Sequence, residues 1–320
     1  MVGKLTPNDK ASASMTPVLL LKEHPYKTKN EELKEKFEAM QGIDPAFQGN
    51  EATGWGDRLE PVILPEAAKR LRLVNYDCNI NTAKHHPELP LAASLDGAGE
   101  GSGQTIVTDP SKGIYVIGAD SIVLDGDGIL EAKVTSMMPE DTPALHRGPI
   151  QAQAQMMCCG LKWGAVCVLY RGIELRIFLF EAHPATQAAI ADAVVDFDRR
   201  LHADGGPDWY DIEHLSDPRI IYPESDGGEV PLILDDDCAK AAEAIETAKI
   251  GKKNFDELIE KANLHLQAYM GNHGKARAGD FEISWGTRNI KAKPEKLVPA
   301  TPARTERAKT VTIKRRKDAA

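Results

Sequence analysis

Glu131 and Lys133 stand one residue apart in the apolar run Gly128-Ile129-Leu130-Glu131-Ala132-Lys133. In an extended strand, residues i and i+2 face the same side, so this carboxylate and this ammonium group point together while Ala132 points away. Two charges on one face of an otherwise apolar strand are costly unless a metal ion, a substrate or a charge partner compensates. Upstream, Ser94-Leu95-Asp96-Gly97 closes another short apolar run. Carboxylates with a nearby cation suit the hydrolysis of a phosphodiester. That reaction needs a water made nucleophilic, stabilisation of the charge developing around phosphorus, and a neutralised leaving oxygen. Mg²⁺ can supply all three, and it prefers hard carboxylate and carbonyl oxygens. Singly, each piece is weak, because Glu-x-Lys is common surface decoration and Ser-x-Asp-Gly reads as a turn. Their combination is the signal.

These side chains need rigid elements to hold them. The run 89–97 reads as a short strand. Residues 113–118 and 121–128 read as a hairpin, followed by the Glu131 strand over 128–134. The Asp125-Gly126-Asp127-Gly128 stretch reads as a turn and is given no metal role. Residues 163–182 predict two strands joined at Arg171-Gly172, and 281–285 (FEISW) predict one more. Helices are expected over a charged segment ending near Gly42, over 57–72, over 149–160 and over 182–203. Pro61 fits an early helical turn, whereas Pro65 should kink or shift its helix. Two helices are expected between residues 236 and 271. Strands and helices alternate irregularly, which predicts an α/β or α+β fold with a mixed central sheet.

With these pieces in place, the chain resembles the YqaJ and lambda-exonuclease family of phage recombination nucleases, within the PD-(D/E)xK superfamily. Five stretches carry the resemblance, in order. Residues 10–26, with Ser12, Ser14 and His24-Pro25-Tyr26, resemble the family's Ser-containing helix and its following "S-P-Y" element. Gly56-Asp57-Arg58-Leu59-Glu60-Pro61 resembles its "G-x-x-L-E-P" helix. His86-Pro87-Glu88-Leu89-Pro90 through Ser94-Leu95-Asp96-Gly97 resembles its "S-P-D-G" strand. Leu130-Glu131-Ala132-Lys133 resembles its "l-E-x-K" strand, and Gln151-Ala152-Gln153 its "Q-x-Q" helix. The resemblance implies a restriction-endonuclease-like core with a mixed central sheet flanked by helices. It implies Asp96 and Glu131 as the main Mg²⁺ ligands, helped by the Ala132 carbonyl, with Glu60 at a second metal or its water shell. Lys133 would orient and polarise the attacking water. Gln151 would fix the metal-bound water or Lys133. Gln153 and Ser14 would touch the DNA, Ser14 at a terminal phosphate. Mn²⁺ would substitute for Mg²⁺.

Each of these has a plainer alternative. Glu60 could be an ordinary first-turn helix acid, Gln151 and Gln153 a solvated helix face, and Ser14 a helix N-cap. Leu95 stands where the family pattern has proline, which alters no ligand. The 35 residues from Asp96 to Glu131 include a Gly-rich piece and an acidic hairpin. The adjacent His85 and His86 cannot both point inward from a strand and are left out of the site.

The expected domains are a nuclease core over 1–205, a C-terminal helical and strand extension packed on it over 206–290, and a basic flexible tail over 291–320. The chain carries a net charge of −9, yet residues 288–320 hold eleven Lys/Arg against three Asp/Glu, which leaves the rest strongly acidic. A basic tail suits contact with a polyanion or serves as a solvated, disordered solubility tail; both readings stand. None of the five cysteines forms a CxxC pair, so a zinc ribbon is not expected. No run of 18 or more apolar residues suggests a membrane span, and a cytoplasmic protein is expected. The function implied is a Mg²⁺-dependent exonuclease acting on linear double-stranded DNA, 5′→3′, in phage-type recombination or repair. An endonuclease or single-strand nuclease of the same fold, and a DNA-binding protein with a vestigial site, remain alternatives. A single-strand annealing protein and a homo-oligomer are the partners the family implies.

Overall fold

In the computed structural model, the Glu-x-Lys pair lies on the longest strand among the described residues. The structure describes residues 6–43, 50–224 and 235–285. The chain divides into two units, Met1–Ile221 and Tyr222–Ala320. The first contains, in chain order, β1 (Ala11–Ser12), α1 (Thr16–Leu20), α2 (Lys29–Met40), α3 (Glu51–Leu71), β2 (Asn75–Asp77), β3 (Lys84–His85), β4 (Leu91–Ala93) and β5 (Gly97–Val107). It continues with β6 (Ile114–Val116), β7 (Ser121–Thr135), α4 (Pro149–Cys159), β8 (Trp163–Tyr170), β9 (Glu174–Glu181), α5 (Pro184–Leu201) and α6 (Asp217–Ile221). The second unit contains α7 (Asp236–Met270) and the antiparallel pair β10 (Lys275–Ala278) and β11 (Phe281–Ser284).

Six strands of the first unit form one sheet in the order β2-β5-β7-β8-β9-β6. The sheet is mixed: β5 and β7 are antiparallel, β7 and β8 parallel, β8 and β9 antiparallel, and β6 and β9 parallel. Strands β8 and β9 form the expected hairpin through Arg171-Gly172, both in the left-handed region. A second, three-stranded sheet is ordered β1-β4-β3, with β1 parallel to β4. The expected mixed sheet flanked by helices is therefore present.

Side-chain alternation along the central strands separates two cores. Ile129, Val166, Val168 and Phe178 face α4 and α5, while Leu130, Ala132, Ala165 and Cys167 face α3. Both faces are buried, which explains why β8 reads as a continuous apolar run rather than an alternating one. Cys158 and Cys167 are buried free thiols.

Several sequence expectations are corrected. Residues 113–118 and 121–128 do not pair as a hairpin. β6 joins β9 at the sheet edge, and β7 runs unbroken from Ser121 to Thr135, pairing with the Gly-rich segment that is β5. The Asp125-Gly126-Asp127-Gly128 stretch is strand rather than turn. A register shift between Ser102 and Gln104 marks a bulge there, and Gly126 adopts φ +67°. The glycines serve close packing: a Cβ at Gly128 would come within 2.3 Å of the Trp163 ring. Helix α3 begins before residue 57 and passes both prolines as one helix. Its Ile63, Leu64, Ala67 and Leu71 are buried against the sheet, which offsets the two lost backbone bonds. Between 236 and 270 one helix replaces the two expected.

Residues 206–221 fold with the first unit. Thr28 Oγ1 donates to Asp217 Oδ1 at 2.8 Å, and the Arg200 guanidinium lies 4.2 Å from the Tyr210 ring centroid. The basic tail lies outside the described residues. Among the described residues, no helix is long and apolar enough to cross a membrane.

The tight contact at Gly128 is testable. Gly128→Ala should destabilise the protein by about 1–3 kcal/mol through overpacking against Trp163, read as a lowered urea midpoint with an unchanged m-value.

Candidate active site

Glu131 lies on β7 facing α4 and is only 1% exposed. A carboxylate this deep must be neutralised or multiply hydrogen-bonded. Three donors surround it. Lys133 Nζ is 2.6 Å and Gln151 Nε2 2.7 Å from Oε1, and Gln155 Nε2 is 2.6 Å from Oε2. The strand geometry aims Lys133 to the same side as Glu131, as the i, i+2 spacing requires. Lys133 keeps 30% of its side chain exposed, although its ammonium group lies buried against the carboxylate.

Asp96 reaches the same place from the neighbouring strand. It lies immediately ahead of β5, whose first residue Gly97 pairs with Leu130, so the register sets Asp96 beside Glu131. Its Oδ2 accepts the Ala132 amide N–H at 2.9 Å. That bond and the β5–β7 ladder fix the two carboxylates on adjacent strands. Burial, then repulsion from Glu131, pushes the Asp96 carboxyl well above the ordinary range, with Lys133 opposing. Burial lowers the Lys133 ammonium, but Glu131 and Asp96 outweigh it and the net shift is upward. Glu60, on the opposite helix layer, is half-buried. Burial, Asp57 and Glu131 together raise its pKa. Three carboxylates and one ammonium thus influence one another, an excess of negative charge that an added cation would relieve.

The donor set fits a hard divalent ion through Asp96 and Glu131. Mg²⁺ typically uses one or two protein carboxylates and retains several waters. Among the described residues, no three His, Cys, Asp or Glu side chains converge as a ready cage. Glu60 is coupled by charge to both Glu131 and Asp96. Ala132 is tied to Asp96 through its amide.

The remaining predicted residues fall in different places. Gln151 joins the cluster. Gln153 does not: its Nε2 donates to the Glu181 carbonyl at 2.8 Å and its Oε1 accepts the His183 amide at 2.8 Å. It pins the end of β9 to the start of α5, a structural task in place of the expected DNA contact. Ser14 is exposed and does not cap a helix, because α1 begins after Met15, with no side-chain cap. Its hydroxyl lies 3.1 Å from that of Ser12. Ser12 pairs with Ala92, so Ser14 emerges at the end of the small sheet from which the chain continues to Asp96. The His24 and Tyr26 rings meet His146 edge-on at 5.9 Å, just ahead of α4.

The missed residue is Gln155. It is 1% exposed, donates to both Glu131 and the Ser94 carbonyl, and its Oε1 is buried without a partner. A readable signal existed: Gln151 and Gln155 are spaced i, i+4 and share a helix face, whereas Gln153 lies round the helix from them.

Residues 9–162 match the YqaJ-like viral recombinase domain. This segment contains Ser14, Glu60, Asp96, Glu131, Lys133, Gln151 and Gln155, and it upholds the resemblance read from the sequence. No curated protein matches the chain. Among solved structures, the alkaline exonuclease LHK-Exo from Laribacter hongkongensis is similar at 18% identity, over 61% of this chain and 89% of that one, with a TM-score of 0.43. LHK-Exo in complex with dAMP gives the same values. A phage related exonuclease from Haemophilus somnus is similar at 11% identity, over 60% of this chain and 92% of that one, with a TM-score of 0.36.

Because the Asp96 carboxyl titrates higher folded than unfolded, the folded protein holds that proton more tightly. Its contribution to stability is complete below the unfolded value of about 4 and declines as pH rises toward the folded value. Asp96→Asn should therefore melt at a higher temperature than wild type in EDTA at pH 8, with the difference vanishing near pH 4. Gln155→Ala should lower the melting temperature of the same protein, since loss of a donor to a buried carboxylate costs about 1.5–3 kcal/mol.

Proposed function

We propose that this YqaJ-like domain is a Mg²⁺-dependent deoxyribonuclease that degrades linear duplex DNA from its ends, 5′→3′, in phage-type recombination. The observation that supports it most is the meeting of Asp96, Glu131 and Lys133 at one point on adjacent strands, with the buried carboxylate held by two glutamines. A surface Glu-x-Lys pair would show neither that burial nor those donors.

Asp96 and Glu131 would hold the cation, with Glu60 contributing field or an outer-sphere contact. When bound, Mg²⁺ or Mn²⁺ supplies Lewis acidity toward the phosphate and a more acidic bound water. The chain's own residues do the rest. Gln151 and Gln155 fix both oxygens of Glu131, so its carboxylate cannot rotate as charge changes nearby. Lys133 holds Glu131 Oε1, and its ammonium group can orient a water and stabilise charge developing on the phosphate. The unpartnered Oε1 of Gln155 is placed to accept a hydrogen bond inside the site. Ser14, exposed beside Ser12, offers a hydroxyl to a terminal phosphate. Removal of one strand leaves a single strand, which suits a partner that anneals single strands.

Purified protein, linear duplex and covalently closed circles, with Mg²⁺ or EDTA, provide the test. Loss of linear DNA alone, and only with metal, is the expected result. Nicked circles would replace the exonuclease reading with an endonuclease, and intact DNA under every metal would leave a non-catalytic DNA-binding protein. Lys133→Ala should lower cleavage by about two to three orders of magnitude while DNA affinity, read by fluorescence anisotropy, changes little. Turnover at the wild-type rate would remove Lys133 from the mechanism.

A further inference from the structure

Ile63, Leu64, Ala67 and Leu71 form the stripe of α3 that is buried against the sheet. The helical period carries the same stripe N-terminally through Glu60 to Gly56 and Thr53. The cover thins along it. Ile63 and Leu64 are buried, Glu60 and Gly56 are partly exposed, and Thr53 is exposed. Where the sheet's cover ends, the catalytic cluster begins, because Glu60 is coupled by charge to Asp96, Glu131 and Lys133. Gly56 lies one turn before Glu60 on this face, about 6 Å along the axis.

Nothing in the fold accounts for a glycine there. Glycine inside a helix is less stable than alanine, so a fold keeps one where the backbone needs a positive φ or where a neighbour fills the place of the Cβ. At Gly128 and Gly164 a neighbour does, since a Cβ would come within 2.3 Å of Trp163 and 2.7 Å of Ile129. Gly56 sits in ordinary helical backbone within Glu51–Leu71, and beyond its own stretch of helix a Cβ would meet no heavy atom within 4 Å. Gly54 also has room, with Arg58 Nη1 at 3.8 Å from a Cβ, but it lies about a third of a turn round the helix from the Glu60 stripe. Gly56 alone of the two combines open space with a place beside the cluster.

We infer that Gly56 is a substrate-contacting position: the sugar–phosphate backbone of the strand being cut passes beneath the first turns of α3, against the bare backbone of Gly56. The inference rests on the nuclease reading and adds to it the wall along which the strand runs. A phosphodiester attacked at Asp96 and Glu131 lies beside Glu60, which borders both carboxylates. The same strand, continued by a nucleotide, comes to the next turn of the helix on that face. A side chain at position 56 would stand in its way, and glycine leaves the space free at the expense of helix stability. Loss of intrinsic stability at a position that touches substrate is the usual sign of a residue kept for function.

Substitution in the full chain separates this role from a folding role by sign. Gly56→Ala puts a better helix former into open space, so its melting temperature should rise. Affinity for a short linear duplex, read by fluorescence anisotropy with Mg²⁺ in the slowly cleaving Lys133→Ala background, should fall at least tenfold in Gly56→Leu and less in Gly56→Ala. In the otherwise wild-type chain the loss should appear in KM more than in kcat. Gly54→Ala should show a similar rise in melting temperature with unchanged affinity and turnover. The affinity comparison does not depend on cleavage, so a chain that binds the duplex and cuts nothing sinks the nuclease reading while the contact at Gly56 is still decided by binding. Wild-type affinity in Gly56→Leu overturns the inference. So does a lowered melting temperature in Gly56→Ala, which would give the glycine a folding role, or an equal loss of affinity in Gly54→Ala and Gly56→Ala.

Discussion

One buried carboxylate organises the first unit. Glu131 is sequestered from water on a strand whose neighbours are Leu130 and Ala132, and such a charge persists only if its surroundings replace its hydration. Lys133 supplies the counter-charge, and Gln151 and Gln155 supply two further donors. The helix carrying the glutamines and the strand carrying the lysine are thereby committed to one relative position. Displacing any donor would strand a charge in a low-dielectric interior, which is far more costly than losing a surface ion pair.

The sheet turns that local demand into a site. Asp96 sits ahead of β5 and Glu131 in β7, brought together by antiparallel register rather than by nearness in sequence. The long connection between them is built into the sheet. Its glycines permit the close approach of Trp163 and Leu124, and its bulge absorbs the extra residue near Ser102. The result is a pair of repelling carboxylates held rigidly beside one ammonium group. Burial and repulsion from Glu131 raise the Asp96 carboxyl, a cost that the proposed divalent cation would relieve.

Helix α7 poses a different problem. Among its residues only Met270 is buried, while Phe255, Leu258, Ile259 and Leu264 are exposed.

Periods of two and of 3.6 residues were legible without coordinates. They gave the β8–β9 hairpin, α4, α5 and the shared face of Glu131 and Lys133, because side-chain direction within one element follows from local backbone geometry. The family resemblance located Asp96, Glu60 and the glutamine helix along the chain. What lay beyond the sequence reading were relations between elements. The Gly-rich piece and Asp125-Gly126-Asp127 look like turns because glycine is locally permissive, and only packing against Trp163 and pairing with each other make them strands. Pro65 should disturb its helix, but burial of one face against the sheet outweighs the lost bond. Gln153 and Gln155 cannot be ranked by type. The fold turns one toward the β9–α5 junction and the other toward Glu131, since a helix's rotation is decided by the surface it packs on.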